Sequence, residues 1–157
     1  MADPEYLIGN YPVVAPVPST MLESISQPSD IQNLTADQLD ALCEEIRAFI
    51  LEKVSKTGGH LSPNLGVVEL TIALHRVFDF TQDRLLWDVG HQCYPHKLLT
   101  GRHRRFDTLR KSGGISGFPS TKESPFDLFD VGHAGTSIPT AVGLARGDSA
   151  AGRDNSV

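Results

Sequence analysis

Three of the six histidines in this chain follow a glycine: His60, His91 and His133. An imidazole gives or takes a proton near neutral pH, and a glycine before it permits the sharp turn that aims the ring into a cleft. Two of the pairs sit in echoing stretches, Trp87-Asp88-Val89-Gly90-His91 and Phe129-Asp130-Val131-Gly132-His133. The second continues as Ala134-Gly135-Thr136-Ser137 into a helical pattern. Small residues opening a helix let backbone N–H groups point at an anion, and the helix dipole favours negative charge there. Gly132 to Ser137 is therefore the best phosphate seat in the chain, and equally reads as a tight turn with an ordinary cap. It is not a Walker loop, since no Gly-Lys-Ser/Thr follows, and no Gly-x-Gly-x-x-Gly fingerprint is present. His91, Cys93 and His96 offer zinc-ligand types but lack a fourth ligand, because Cys43 falls within a helix. Asp88 and Asp130 either orient neighbouring groups or cap strand ends. His75 in mid-helix and His103 among basic residues read as structural.

The elements that would position these residues follow from pattern. Leu85 to Val89 and Phe126 to Val131 are short apolar runs without helical period and read as buried strands. About 40 residues separate them, enough for one crossover of a parallel sheet. Ligands of open α/β sheets bind at the carboxyl ends of the strands, where both Gly-His pairs fall. Thr35 with Gln38 forms a capping box for a helix whose stripe runs through Leu39, Leu42, Ile46, Phe49, Ile50 and Val54. Gly58-Gly59 ends it. Ser62-Pro63 opens a second helix, predicted from about Leu65 to Phe78. Short helical pieces are expected near Lys97 to Thr100 and Phe106 to Lys111, and a third helix from Ile138 to Arg146. The Ser/Gly/Pro-rich stretch 112–126 is either a lid, with Ile115 and Phe118 needing somewhere to dock, or a surface loop. Two strands do not make a stable sheet alone, so the chain reads as the opening part of a larger α/β domain.

Composition narrows the function classes. The chain has 157 residues and a net charge of −5, which leaves no basic footprint for nucleic acid. No apolar run approaches the length of a membrane span. Residues 1 to 20 hold four prolines, read as extended or disordered, and lack the pattern of a secretory or transit peptide. Two cysteines are too few for a disulfide framework, so a cytoplasmic location is the default expectation.

With these residues in view, the chain resembles the N-terminal part of the 1-deoxy-D-xylulose-5-phosphate synthases, thiamine diphosphate enzymes of the transketolase group. The resemblance rests on Ser55-Lys56-Thr57-Gly58-Gly59-His60-Leu61, Leu65 to Thr71, Trp87 to Gln92, Tyr94 to Arg102, Gly113 to Pro119 and Val131 to Ser137. It runs from about Leu22 to the last residue. Transketolase proper is similar only around the first Gly-His and lacks the Trp-Asp-Val-Gly-His-Gln and Tyr-Pro-His-Lys runs.

The resemblance implies an incomplete thiamine-diphosphate-binding domain over 21–157, with a parallel sheet flanked by helices. It implies condensation of pyruvate with glyceraldehyde 3-phosphate to deoxyxylulose 5-phosphate and carbon dioxide, for isoprenoid, thiamine and pyridoxal synthesis. It makes His60 the active-site histidine and His91, Gly132, His133 and Ala134 contacts of the cofactor. It also implies Mg²⁺ and a homodimer, with no nucleic-acid or membrane partner. The family's Gly-Asp-Gly metal motif, its later Asn and the activating glutamate have no counterpart among these residues. The expectation is that the metal ligands lie beyond Val157 and that the 157 residues alone do not carry the whole reaction. Two other readings stay open: a non-catalytic remnant or interaction module, and a transketolase-type ketol transferase.

Overall fold

The computed structural model describes residues 20–157. The extended or disordered reading of the N-terminal segment falls, except for Thr20, outside the described residues. The organising element is a long helix, α2 (Ala36–Thr57), preceded by a short turn of helix, α1 (Met21–Ser24). Thr35 Oγ1 accepts from Gln38 N at 3.3 Å while Gln38 Oε1 accepts from Thr35 N at 2.8 Å, the capping box read from the sequence. Leu42, Ile46, Ile50 and Val54 recur every fourth residue and are buried along one stripe. Glu45 on the same helix accepts from the amides of Met21 and Leu22 and so caps α1. Gly58 at φ +74° closes α2.

The second predicted helix is interrupted. A turn, α3 (Ser62–Leu65), is followed by Gly66 and Val67, and only then by α4 (Val68–Val77). The break lies at Val67, whose φ of −124° and ψ of 15° leave the helical well. α4 packs Val68, Thr71, Ile72 and His75 inward against α2. Next come α5 (Tyr94–Lys97), a wide turn at Leu98–Arg102 and a 3₁₀ segment at His103–Thr108. Tyr94, Leu98, Leu99, Phe106, Leu109 and Ile115 complete the core. The last helix, α6 (Ser137–Ala150), runs past the predicted end at Arg146. It adds no residue to the core and leaves Ile138 and Val142 exposed.

Neither predicted strand forms, and the described residues contain no β-strand. Leu85–Trp87 and Phe126–Phe129 lie side by side and line one small void. No backbone hydrogen bond joins them, and without a ladder an extended segment is not a strand. In the second segment the amides turn back locally: Phe126 N donates to Ser124 Oγ at 3.2 Å and Asp127 N to Ser124 O at 3.1 Å.

A buried polar chain ties the 112–127 loop to this helical block. Asp127 accepts both terminal nitrogens of Arg102, Nη1 at 2.6 Å and Nη2 at 2.9 Å, and the amide of Ser120 at 2.8 Å. Lys97, fully buried, donates to Glu123 Oε2 at 2.5 Å, and Glu123 Oε1 accepts from Ser116 N at 2.6 Å. Two cations thus face two carboxylates, which is how charge survives burial. Asp127 also lies 3.1 Å from His96 Nε2, and His96 Nδ1 lies 3.0 Å from His75 Nε2. Since a carboxylate only accepts, His96 carries its proton on Nε2, its Nδ1 accepts, and His75 donates from Nε2. Burial pushes the His75 imidazole down to about 2 and lowers His96 as well, so both are neutral. Asp127 is held well below the ordinary carboxylate range by its His96 and Arg102 partners, against the opposing effect of burial.

Two outcomes follow. Asp127→Asn removes one member of a buried charge set and is expected to cost about 3–5 kcal/mol in a urea titration. The unfolded chain takes protons on His75 and His96 near pH 6.5, whereas the folded chain does not. Their stability contribution is therefore full above pH 6.5 and lost progressively below it. Thermal midpoints measured between pH 8 and 5 should be level at the alkaline end and fall towards acid, before any carboxylate titrates.

Candidate functional site

The first Gly-His segment hangs from the end of α2. Gly59 has φ +148°, and a Cβ there would stand 2.7 Å from the Tyr94 hydroxyl oxygen. That close approach lets His60 N donate to Tyr94 Oη at 3.2 Å. The His60 ring is half-buried, with centroids 5.2 Å from Phe118, 5.7 Å from His91 and 6.2 Å from Tyr94. Burial first, then the nearby Arg110 guanidinium and His91, lower the His60 imidazole below its ordinary 6.5. At neutral pH the ring is free base, able to accept a proton.

The second segment makes a strained turn. Val89 at φ 59° and Gly90 at φ 83° are both left-handed, and Gly90 N donates to Asp88 O at 2.6 Å. For a β-branched residue this is a true outlier, of the kind that costs about 1–3 kcal/mol and persists only where surroundings impose it. A Cβ on Gly90 would stand 2.5 Å from Pro119 Cδ and 2.7 Å from Val131 Cγ2. The two echoing stretches therefore touch, Gly90 against Val131.

Asn64 joins the first two histidine segments. Its side chain is fully buried; Nδ2 donates to His60 O at 2.6 Å and His91 O at 2.9 Å, while Oδ1 accepts from Tyr94 N at 2.7 Å.

The third segment behaves differently. The amides of Gly135, Thr136 and Ser137, which the sequence offers to a phosphate, donate instead to Asp88 at 2.9, 3.0 and 3.2 Å. The anion at the start of α6 is the chain's own carboxylate, lowered in pKa chiefly by the Gly135 amide. Gly132, His133 and Ala134 are exposed, and Gly132 and His133 line an open cleft of about 430 Å³ with Trp87, Phe129 and Thr140. His60 and His91 are thus brought together, with His133 apart from their ring contacts among the described residues.

The zinc grouping does not assemble. His96 bonds His75 and Asp127, and Cys93 faces Gly117 O, its thiol pushed up to about 12 by burial. The 112–126 stretch is docked: Ile115 is in the core and Phe118 covers His60. Sequence reasoning missed Asn64, Tyr94, Phe118 and Arg110 as neighbours of the histidines. Only Ser62-Pro63, marking a helical first turn that presents Asn64, gave any local signal.

A sequence model described as 1-deoxy-D-xylulose-5-phosphate synthase matches residues 22–157. The chain belongs to the 1-deoxy-D-xylulose-5-phosphate synthase family. It is 57% identical over 136 residues to the 1-deoxy-D-xylulose-5-phosphate synthase of Dechloromonas aromatica, covering 87% of this chain and 22% of that protein. It is 60% identical over 128 residues to the synthase of Cupriavidus metallidurans, covering 82% of this chain and 20% of that protein. Synthase 1 of Geobacter sulfurreducens is 58% identical over 139 residues, 88% of this chain and 22% of its own length. The chain spans about one fifth of the length of these synthases. All three histidine segments and the Tyr94 to Arg102 run lie inside the region matched to the synthase family.

Gly90→Ala meets both a left-handed backbone and the walls of Pro119 and Val131. It is expected to lower stability by about 2–4 kcal/mol in a denaturant titration, more than the usual cost of a surface Gly→Ala change.

Proposed function

We propose that this chain is the N-terminal, partial thiamine-diphosphate-binding domain (21–157) of a synthase that condenses pyruvate with glyceraldehyde 3-phosphate. The products are 1-deoxy-D-xylulose 5-phosphate and carbon dioxide. The observation that carries the reading is the convergence of His60 and His91, ring centroids 5.7 Å apart, in a member of the synthase family. A transketolase-type ketol transferase and a non-catalytic remnant lack a comparable observation in their favour.

His60 serves as the acid–base group. It is neutral at pH 7, half-buried, and backed by Tyr94 Oη at 3.4 Å from Nδ1. That suits it to take up a proton at the reacting oxygens. His91 meets the cofactor; its Nδ1 is buried without a partner, an acceptor or donor left over for a ligand. Phe118 packs edge-on against the His60 ring and supplies an apolar wall on one side of it. Thiamine diphosphate, when bound, supplies the carbon nucleophile and the electron sink that decarboxylation needs.

The fit is partial. His60 and His91 would hold the organic part of the cofactor, and Gly132, His133 and Ala134 would contact it as well. The amides after them are taken by Asp88, and no group of three metal-ligating side chains forms among the described residues. The described residues therefore do not by themselves fit the diphosphate and its Mg²⁺. A parallel sheet, a homodimer and a cytoplasmic setting belong to the same reading. No helix among the described residues is long and apolar enough to cross a membrane.

In the full protein that carries this segment, His60→Ala is expected to lower kcat by about 10²–10⁴-fold. Formation of deoxyxylulose 5-phosphate from the two substrates measures it. The acid limb of kcat/KM should lie below 6.5, following the lowered His60 pKa. Near-parental turnover in His60→Ala contradicts the reading.

A further inference from the structure

The geometry points to Asn64 as the positioning residue that sets the relation of His60 to His91. This rests on the proposed role of His60, which the test below separates from it. Three features of Asn64 carry the inference. Its carboxamide is fully buried, so it does not meet a substrate itself. It donates from one nitrogen to the carbonyls of both histidines, at 2.6 and 2.9 Å. No other hydrogen-bond donor reaches either carbonyl among the described residues.

The third bond closes a loop. Asn64 Oδ1 accepts from Tyr94 N at 2.7 Å, and the Tyr94 hydroxyl accepts from His60 N at 3.2 Å. The backbones of His60, His91 and Tyr94 are thereby fixed to one planar group. The demand is specific: two divergent donors and one acceptor on a short stem. Asp keeps the shape and the acceptor but presents oxygens to two carbonyls. Ser is too short to reach all three, and Gln sets the amide one methylene too far out.

The opposing constraint explains why a clamp is needed. The His91 turn contains left-handed Val89, a conformation that relaxes unless held at both sides. Asp88 holds one side through the α6 amides, and Asn64 holds the other through the His91 carbonyl. Releasing the second side lets the His91 ring move relative to His60, whose own carbonyl is released at the same time.

The test uses the full protein that carries this segment, with Asn64→Asp as the principal variant. Misplacement of a catalytic group by about 1 Å costs on the order of 10²-fold, so kcat is expected to fall between tenfold and a hundredfold. Both KM values should stay within about twofold, since Asn64 contacts neither substrate. Imidazole resonances of ¹³C-labelled histidine report the geometry without turnover: the signals of His60 and His91 should both shift, and that of His133 should not. A folded Asn64→Asp protein with parental kcat and unmoved His60 and His91 signals overturns the inference. If Asn64→Asp does not fold, Asn64→Ser, which leaves room for a water, takes its place with the same expectations. A merely structural role predicts parental kcat per folded molecule in that variant and overturns the inference. His60→Ala, assayed in parallel, decides the role of His60 alone; the resonance shifts decide that of Asn64 whatever its result.

Discussion

The interior of this chain depends on one carboxylate, Asp127. It receives Arg102 through two nitrogens, approaches His96 and holds the Ser120 amide, all away from water. A buried ion set of this kind adds little net stability compared with an apolar core, but removing one member leaves an uncompensated charge. Its effect is therefore on which arrangement forms. The 112–127 stretch has few apolar side chains to pack it, and Asp127 and Glu123 attach it to Arg102 and Lys97 instead. Phe118 thereby reaches the His60 ring, and Pro119 closes over Gly90. The histidine pair is walled by a loop that polar contacts hold.

That dependence accounts for what the sequence disclosed and what it withheld. α2 was legible because everything that defines it is local: a capping box across three residues, a stripe at four-residue spacing and a glycine stop. His60 and His91 were legible as candidate site residues from type and from the glycines before them, and their rings lie 5.7 Å apart. The charge set was not, because Lys97 and Arg102 stand more than twenty residues from Glu123 and Asp127, and no period links them. The same holds for Asn64, which joins nearby His60 to His91 and Tyr94, 27 and 30 residues further along the chain.

The strands failed for a related reason. Apolar run and length specify that a segment can be extended and buried, whereas a strand also requires a neighbour's backbone. Leu85–Trp87 and Phe126–Phe129 are adjacent yet exchange no backbone bond. The amides at the start of α6 do take an anion, but that anion is Asp88, 47 residues earlier, and sequence alone left a phosphate and a capped turn equally open. The echo of Gly90-His91 in Gly132-His133 turns out to be a contact, with Gly90 packed against Val131, and not a pair of equivalent sites.

Membership of the synthase family and the meeting of two histidines converge on one claim, that His60 and His91 act within a single site. A double-mutant cycle tests it most directly: kcat/KM for deoxyxylulose 5-phosphate formation with His60→Ala, His91→Ala and both together. Groups that act as a unit are strongly non-additive. The account predicts that the double variant loses little more than the worse single variant. Losses that multiply, as for two independent positions, would contradict it.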